Sequence, residues 1–247
     1  MRRRRELVIG VAVAAVLTTG VLFAVHPTGR SAVPPQVAGC RKAAADHAAG
    51  LRTPVTPGAP GLVVVIGDSY SQGAGLPRGP AVAFPALVAR ATGRTVHLDG
   101  FGSTGFTTRG FCADRPVTYG ERLTADHLLA LRPTAVIVEG GVNDARHGRP
   151  AAVGAAAADL LRRLAAVPEV VVVGPAGVRA DPRQLDTVDG ALAADSAAAG
   201  RPYVDLRQVR LPLQPDGVHP TREGQEAIAA LLVPLLEQPP GGAANPA

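Results

Sequence analysis

The chain has 247 residues, of which 47% are apolar and 18% charged, with 29 glycines, 23 prolines and two cysteines. The apolar fraction is enough for a packed core, which argues against a wholly disordered chain, and two cysteines cannot form a disulfide-dense scaffold or a four-cysteine zinc site. The formal net charge is +5, but four of the arginines are Arg2 to Arg5 and no basic cluster recurs, so a nucleic-acid partner is not predicted.

Residues 1–25 are predicted to form a signal peptide or a transmembrane anchor, as an apolar helix. Residues 7–25 carry no charge, and about 20 apolar residues in a helix cross a hydrocarbon core of roughly 30 Å. The arginines before them are expected to stay in the cytoplasm, so the rest of the chain lies outside the cytoplasmic membrane. A large residue, Leu22, stands where a cleavage site needs a small one. We therefore favour a membrane anchor over a secreted form, and a lipoprotein is third, because the lipobox-like segment 37–40 is distant from the apolar run.

Two further segments flank the central part of the chain. Residues 26–61 contain repeated prolines and are predicted to be a Pro-rich stalk or linker, with one helical patch over 41–51. Residues 238–247 are rich in Pro, Gly and Ala and are predicted to be a disordered tail. Because export to an oxidising compartment permits disulfides, Cys40 and Cys112 are predicted to pair, with two free thiols as the alternative.

Residues 62–237 show the alternation of an α/β domain. Predicted strands cover 62–66, 95–98, 135–139, 170–173 and 203–206, and predicted helices cover 81–92, 123–131, 151–166, 185–199 and 221–236. Continuous apolar strands alternating with helices predict a parallel sheet that is covered by helices on both faces. Ligands bind beyond the carboxyl ends of such strands, so functional residues are expected where the strands end.

Three of these strand ends carry residues that can do chemistry. Ser69 follows the first strand within Gly-Asp-Ser, where a nucleophile can be exposed at the sheet edge and a following helical turn can direct N–H groups towards an oxyanion. The second strand is followed by Gly102 and Gly105, which allow the backbone to approach a ligand closely. Asn143 follows the third strand and offers a side-chain amide donor.

A base for the serine is found late in the chain. A serine hydroxyl is a weak nucleophile until a base takes its proton, and the base needs an orienting partner. Asp216 and His219 are three residues apart on a turn that contains Gly217 and Pro220, directly before the last predicted helix. This spacing can project the carboxylate and the imidazole to the same side.

The same spacing occurs a second time, at Asp144 and His147. This pair follows the third predicted strand directly and can also reach the sheet edge. We favour His219 because its turn is defined and precedes a helix, and because the other pair overlaps Asn143, which serves better as a donor.

The four segments together resemble the conserved blocks of a known family. In order they are Gly67-Asp68-Ser69, Gly102-Ser103-Thr104-Gly105, Gly141-Val142-Asn143-Asp144 and Asp216-Gly217-Val218-His219. They resemble the SGNH (GDSL-type) hydrolases over about residues 62–236, and Tyr70-Ser71 is similar to secreted or membrane-anchored actinobacterial esterases and lipases. One departure is Asp99, which stands where many members have an asparagine.

This resemblance implies a three-layer, flavodoxin-like α/β/α sandwich and ester hydrolysis with no metal and no cofactor. It implies Ser69 as the nucleophile, His219 as the base and then the acid, and Asp216 as the residue that orients the histidine. The oxyanion hole would comprise the backbone N–H groups of Ser69 and Gly105 and the side chain of Asn143. The spacing leaves Gly102 open as the alternative to Gly105.

The predicted function is therefore that of a serine esterase or lipase acting outside the cytoplasmic membrane as a monomer. Its substrate would be a lipid, a small ester or an acylated glycan, cleaved through an acyl-enzyme on Ser69. The alternatives are an acyltransferase or deacetylase that acts on cell-envelope glycans, or a non-catalytic envelope-binding module of the same fold. An α/β-hydrolase is disfavoured because its nucleophile turn needs a glycine where this chain has Ser71.

Overall fold

The computed structural model of the protein describes residues 34–53 and 55–237. The predicted signal peptide or anchor, the first part of the predicted stalk and the predicted tail lie outside these residues. Within the described ranges, no helix combines the length and the apolar character that a membrane crossing requires.

A five-stranded parallel sheet forms the centre of the described domain. Its strands follow the order β2-β1-β3-β4-β5 and are β1 Val63–Gly67, β2 Val96–Gly100, β3 Ala135–Glu139, β4 Glu169–Val173 and β5 Tyr203–Val204. This is the flavodoxin-like strand order, which has its topological switch point between β1 and β3. The central strands β1 and β3 are buried along their whole length, as their uninterrupted apolar sequences predict.

Helices cover both faces of the sheet. They are α1 Pro35–Leu51, α2 Phe84–Thr92, α3 Tyr119–Ala125, α4 Val142–His147, α5 Val153–Arg163, α6 Pro182–Ala198 and α7 Arg222–Glu237. Successive strand residues point to opposite faces, so Val64 and Ile66 pack with α3, α5 and α6, whereas Val63 and Val65 pack with α2 and α7. The predicted three-layer α/β/α architecture is confirmed.

Several predicted elements have boundaries that differ from the structure by a few residues. The helix predicted over 123–131 begins earlier, because Thr118 and Glu121 form a reciprocal capping box. It then ends at Ala125, and His127 in a left-handed conformation (φ 52°) leads into a 3₁₀ turn over Leu128–Leu131. The fifth strand is shorter than predicted and covers only Tyr203–Val204.

The second half of the predicted stalk belongs to the folded domain. Helix α1 packs against β2, and a disulfide joins Cys40 to Cys112 with a Cα–Cα distance of 5.1 Å. The helix predicted over 41–51 is therefore present, but it begins earlier, at Pro35, and it packs on the domain instead of belonging to a free stalk. Pro35 is the first helical residue, where proline is favourable, so the prolines here start a helix instead of preventing one.

Candidate active site

Ser69 lies at the carboxyl edge of the sheet, two residues after the end of β1. β1 ends at Gly67, and the chain turns so that the Gln72 N–H donates to the Asp68 carbonyl oxygen at 3.3 Å. Gly67 has no room for a side chain, because a Cβ there would lie 1.9 Å from Ser71 Oγ. The turn is therefore tightly packed beneath a half-buried Ser69.

The three side chains predicted to act together are in hydrogen-bond contact. Ser69 Oγ lies 3.0 Å from His219 Nε2, and His219 Nδ1 lies 2.6 Å from Asp216 Oδ2. The other carboxylate oxygen of Asp216 accepts the backbone N–H groups of Val218 at 2.9 Å and His219 at 3.0 Å. Partial burial would raise the pKa of Asp216, but the histidine side chain and these two N–H groups outweigh it and lower the pKa to about 2. Asp216 is thus an ionised partner for the imidazole.

Two side chains that sequence reasoning missed hold the loop that carries the histidine. The Tyr70 hydroxyl donates to the Val218 carbonyl oxygen at 2.5 Å, and burial raises the pKa of Tyr70, so the hydroxyl remains a donor. Gln214 Nε2 donates to the carbonyl oxygens of Ala74 at 2.8 Å and Pro220 at 2.9 Å. The only sequence signal was that Tyr70 is adjacent to the serine.

In the loop after β2, Gly102 lies next to the serine and has a free N–H, whereas the N–H of Gly105 is already hydrogen-bonded. The Gly105 N–H donates to the Thr108 carbonyl oxygen at 3.1 Å, and a Cβ on Gly105 would lie 2.2 Å from Asp144 Oδ2. A Cβ on Gly102 would lie 3.9 Å from Ser69 Cβ. In the part of the chain that the structure describes, the N–H groups of Ser69 and Gly102 make no hydrogen bond. The geometry therefore favours Gly102, the alternative that the spacing left open, over Gly105 as the second backbone donor.

The amide of Asn143 lies beside the same turn. Its Nδ2 donates to Asp68 Oδ2 at 2.8 Å and to the Thr104 carbonyl oxygen at 3.0 Å. The amide is therefore connected both to the turn that carries the serine and to the loop that carries Gly102.

Comparison with protein families decides the assignment. The GDSL-like lipase/acylhydrolase family matches residues 65–227, which is more than half of the chain. The chain belongs to this family. It is therefore an ester-hydrolysing enzyme, and the membership predicted from the four sequence blocks is confirmed. A search of curated proteins gave no match.

Solved structures share the fold of this GDSL-like hydrolase at low sequence identity. A lipase/acylhydrolase from Enterococcus faecalis is 20% identical over 74% of this chain and 99% of its own, with a TM-score of 0.58. The aryl esterase of M. smegmatis is 16% identical over 70% and 96%, with a TM-score of 0.58. Est24, a carbohydrate acetylesterase from Sinorhizobium meliloti, is 17% identical over 70% and 99%, with a TM-score of 0.59.

Buried carboxyl groups lie beneath the active site of this GDSL-like hydrolase. Burial raises the pKa of Asp68 to about 6, although the Tyr70 N–H donates to this carboxyl at 2.9 Å. Burial also raises the pKa of Glu139 well above its ordinary value, and Ser71 Oγ donates to it at 2.7 Å. Each of these side chains fixes a backbone or hydroxyl group next to Ser69.

The second Asp-x-x-His pair of the hydrolase does not form a dyad. Asp144 is buried and its carboxylate accepts the N–H groups of Phe106 at 3.0 Å and Thr107 at 2.7 Å. His147 is exposed at the end of α4. The preference for His219 over His147 agrees with this geometry.

A separate group of side chains has spacing suited to a metal ion. It consists of His47, Asp99 and Asp126, and among the described residues it is the one such group. Asp99 Oδ1 lies 2.6 Å from His47 Nε2 and 2.5 Å from Arg122 Nη1. The group is therefore already an ion-paired network between α1, β2 and α3.

Proposed function

We propose that the protein is a serine esterase that cleaves carboxylic esters through an acyl-enzyme on Ser69. The observation that carries the proposal is the continuous hydrogen-bonded series from Ser69 Oγ through both ring nitrogens of His219 to Asp216, with distances of 3.0 Å and 2.6 Å. A hydroxyl, a base within reach and an ionised group behind the base are the parts that nucleophilic catalysis requires.

In the acylation step, Ser69 Oγ attacks the ester carbonyl carbon as His219 Nε2 takes the hydroxyl proton. The carbonyl electrons move onto oxygen, which is stabilised by the free N–H groups of Ser69 and Gly102. Asn143 is the third donor, and its amide moves from Thr104 towards the oxyanion. The intermediate collapses as His219 gives its proton to the leaving alcohol.

Deacylation repeats these events with water as the nucleophile. His219 takes a proton from water, the hydroxide attacks the acyl carbon, and the same donors stabilise the second oxyanion. Collapse returns the proton to Ser69 and releases the acid. Asp216 holds one tautomer of the imidazole throughout and stabilises its protonated form.

We place this activity outside the cytoplasmic membrane, with residues 7–25 as the anchor. The uncharged run directly after Arg2 to Arg5 supports this location, and so does the Cys40–Cys112 disulfide, since disulfides persist in oxidising compartments. Protease digestion of intact cells tests it: residues 34–237 should be degraded from outside.

The experiment that tests the proposal uses the full chain and p-nitrophenyl esters from acetyl to palmitoyl. Wild type should hydrolyse at least one ester and be labelled by a fluorophosphonate, whereas Ser69→Ala should lose label and at least about 10⁴-fold in kcat. Ser71→Ala is the matched control, because its hydroxyl faces Glu139, and it should still be labelled. A wild-type protein that is neither active nor labelled would favour the non-catalytic binding module.

A second candidate is an esterase restricted to acetyl groups on a glycan. Gln72 lies across the loop beside the serine, with Nε2 donating to the Gly100 carbonyl oxygen at 2.8 Å, and a Cβ on Gly102 would lie 3.2 Å from Gln72 Oε1. This side chain fills space next to the proposed oxyanion hole, which favours a short acyl group. Activity that falls steeply beyond acetyl would support this candidate, and product formed on an added polyol would identify an acyltransferase.

A further inference from the structure

A buried arginine connects the two segments from which the proposed oxyanion hole is built. Arg122 lies in α3 and is 1% exposed. Its Nη2 donates to the Gly67 carbonyl oxygen at 2.9 Å, and its Nη1 donates to the carbonyl oxygen of Asp99 at 2.7 Å and to Asp99 Oδ1 at 2.5 Å. Its Nε donates to the Val117 carbonyl oxygen at 3.2 Å. One planar side chain thus binds three backbone carbonyl groups.

Two of these carbonyl groups lie near the ends of the strands that lead to Ser69 and Gly102. Gly67 is the last residue of β1 and lies two residues before Ser69. Asp99 is the last residue but one of β2 and lies three residues before Gly102. The Gly67 carbonyl oxygen also accepts the Phe101 N–H at 3.0 Å. The strand ends that lead to the nucleophile and to the glycine donor are therefore joined through the same guanidinium.

The side chain is held in one orientation by its own surroundings. The guanidinium lies over the Tyr119 ring, 5.1 Å from its centroid. Burial would raise the pKa of Asp99, but Arg122 and the hydrogen bond from His47 outweigh it and lower the pKa, so the carboxylate stays ionised. A buried charge needs such a partner, and the guanidinium has a rigid set of donors that an ammonium lacks.

We propose that Arg122 is a positioning residue that sets the separation between the Ser69 turn and the Gly102 loop. It does not touch substrate, and the inference rests on the proposed function. Two N–H groups stabilise an oxyanion only if both point at the same place, and a displacement of about 1 Å in such a site can cost on the order of 10²-fold in rate. If the link between the strand ends is lost, stabilisation of the transition state should therefore weaken more than substrate binding, so kcat should fall more than KM changes.

Arg122→Lys in the full chain tests this, because one ammonium cannot bridge both carbonyl groups. We expect kcat on p-nitrophenyl acetate to fall about 10- to 100-fold with KM within about threefold of wild type. Arg94→Lys is the matched control. Arg94 joins the amino ends of the strands, donating to Glu169 at 2.8 Å, Thr134 at 2.8 Å and the Leu236 carbonyl oxygen at 2.9 Å. This control should lower Tm and leave kcat unchanged.

A second pair of variants keeps the test decisive if Arg122→Lys does not fold. Arg122→Gln combined with Asp99→Asn removes both buried charges and leaves a side chain that can reach one carbonyl group. Asp99→Asn alone keeps the arginine and both backbone acceptors. The double variant should show the same fall in kcat. The single variant should lower Tm, because it leaves a buried guanidinium without its carboxylate, and should keep kcat within about threefold of wild type, because both carbonyl acceptors remain.

Four results separate this inference from the proposed function. An inactive wild type would overturn the proposed function and the inference with it. An active wild type with unchanged kcat in Arg122→Lys would overturn the inference alone. An equal fall in kcat for Arg94→Lys, or for Asp99→Asn alone, would also overturn it, because the effect would then follow general stability or buried charge.

Discussion

Asp216 and His219 stand on an irregular loop before α7, whereas Asp144 and His147, with the same spacing, belong to the short helix α4. In the first pair the imidazole lies between the carboxylate and Ser69. In the second pair the carboxylate is turned into the protein and the imidazole is exposed. The spacing is identical, so the difference comes from what each carboxylate binds.

The number of local N–H donors explains how the two carboxylates are used. Asp216 accepts two backbone N–H groups of its own turn with one oxygen and keeps the other for the histidine. Asp144 uses its oxygens for the backbone N–H groups of Phe106 and Thr107 and the hydroxyl of Thr107, which belong to the loop after β2. Both oxygens of Asp144 therefore face a neighbouring loop, and neither is hydrogen-bonded to a histidine.

The largest expected effect separates the two histidines. His219→Ala should lower kcat by about 10⁴- to 10⁶-fold, because the serine loses the base that takes its proton. His147→Ala should leave kcat within about twofold of wild type, because this exposed side chain contacts neither Ser69 nor Asp144. Steady-state kinetics on the best p-nitrophenyl ester measure both. A normal rate in His219→Ala with a lost rate in His147→Ala would reverse the comparison.

The next largest effect distinguishes the two aspartates, because Asp216 is expected to support the rate and Asp144 the stability. Asp216→Asn should lower kcat by about 10²- to 10⁴-fold, through loss of histidine orientation, and change the free energy of unfolding by less than about 0.5 kcal/mol. Asp144→Asn should lower the free energy of unfolding by about 1–3 kcal/mol, because buried N–H and hydroxyl donors lose acceptors.

Urea unfolding and kinetics on the same two samples make the comparison. The expected pattern is a loss of rate for Asp216→Asn and a loss of stability for Asp144→Asn. If both variants lost stability equally and kept their rates, the assignment of a catalytic role to Asp216 would fail.

The sheet was predictable from sequence because its signal is local. Runs such as that of β1, with β-branched residues throughout, are typical of strands buried on both faces. Helix α1 was not predictable to the same degree, since it begins with proline, is rich in alanine and has His47 as its one buried residue. Its docking depends on the distant partners Cys112 and Asp99, which no local pattern contains.

The candidate site, like the fold, was predictable only where its signal is local. Ser69, Asp216 and His219 were identified from short motifs whose order resembles a family. The choice between Gly102 and Gly105 could not be made from the sequence, because it depends on the path of the backbone between them. Ser103 adopts a left-handed conformation (φ 65°), which is uncommon for a residue with a side chain and has no sequence signal here.

The smallest expected effect is a difference in acid stability between the two aspartates. The pKa of Asp216 is lowered to about 2, so its contribution to stability is present above its ordinary pKa of 3.8 and is lost as pH falls through about 2. Burial raises the pKa of Asp144, so its ionisation opposes folding above that raised pKa, and protonation relieves this as pH falls towards 3.8.

Compared with wild type, Asp216→Asn should therefore lose less Tm between pH 4 and pH 2, and Asp144→Asn should lose more between pH 7 and pH 4. The difference for Asp216 should be no more than about 1–2 °C, because its carboxylate is exposed, solvent screens its interactions and its replacement costs less than about 0.5 kcal/mol. The difference for the buried Asp144 should be no more than about 2–4 °C, which is what about 1 kcal/mol gives in a domain of this size. Calorimetry at the three pH values measures them, and shifts of the same sign in both variants would mean that the two carboxylates share one environment after all.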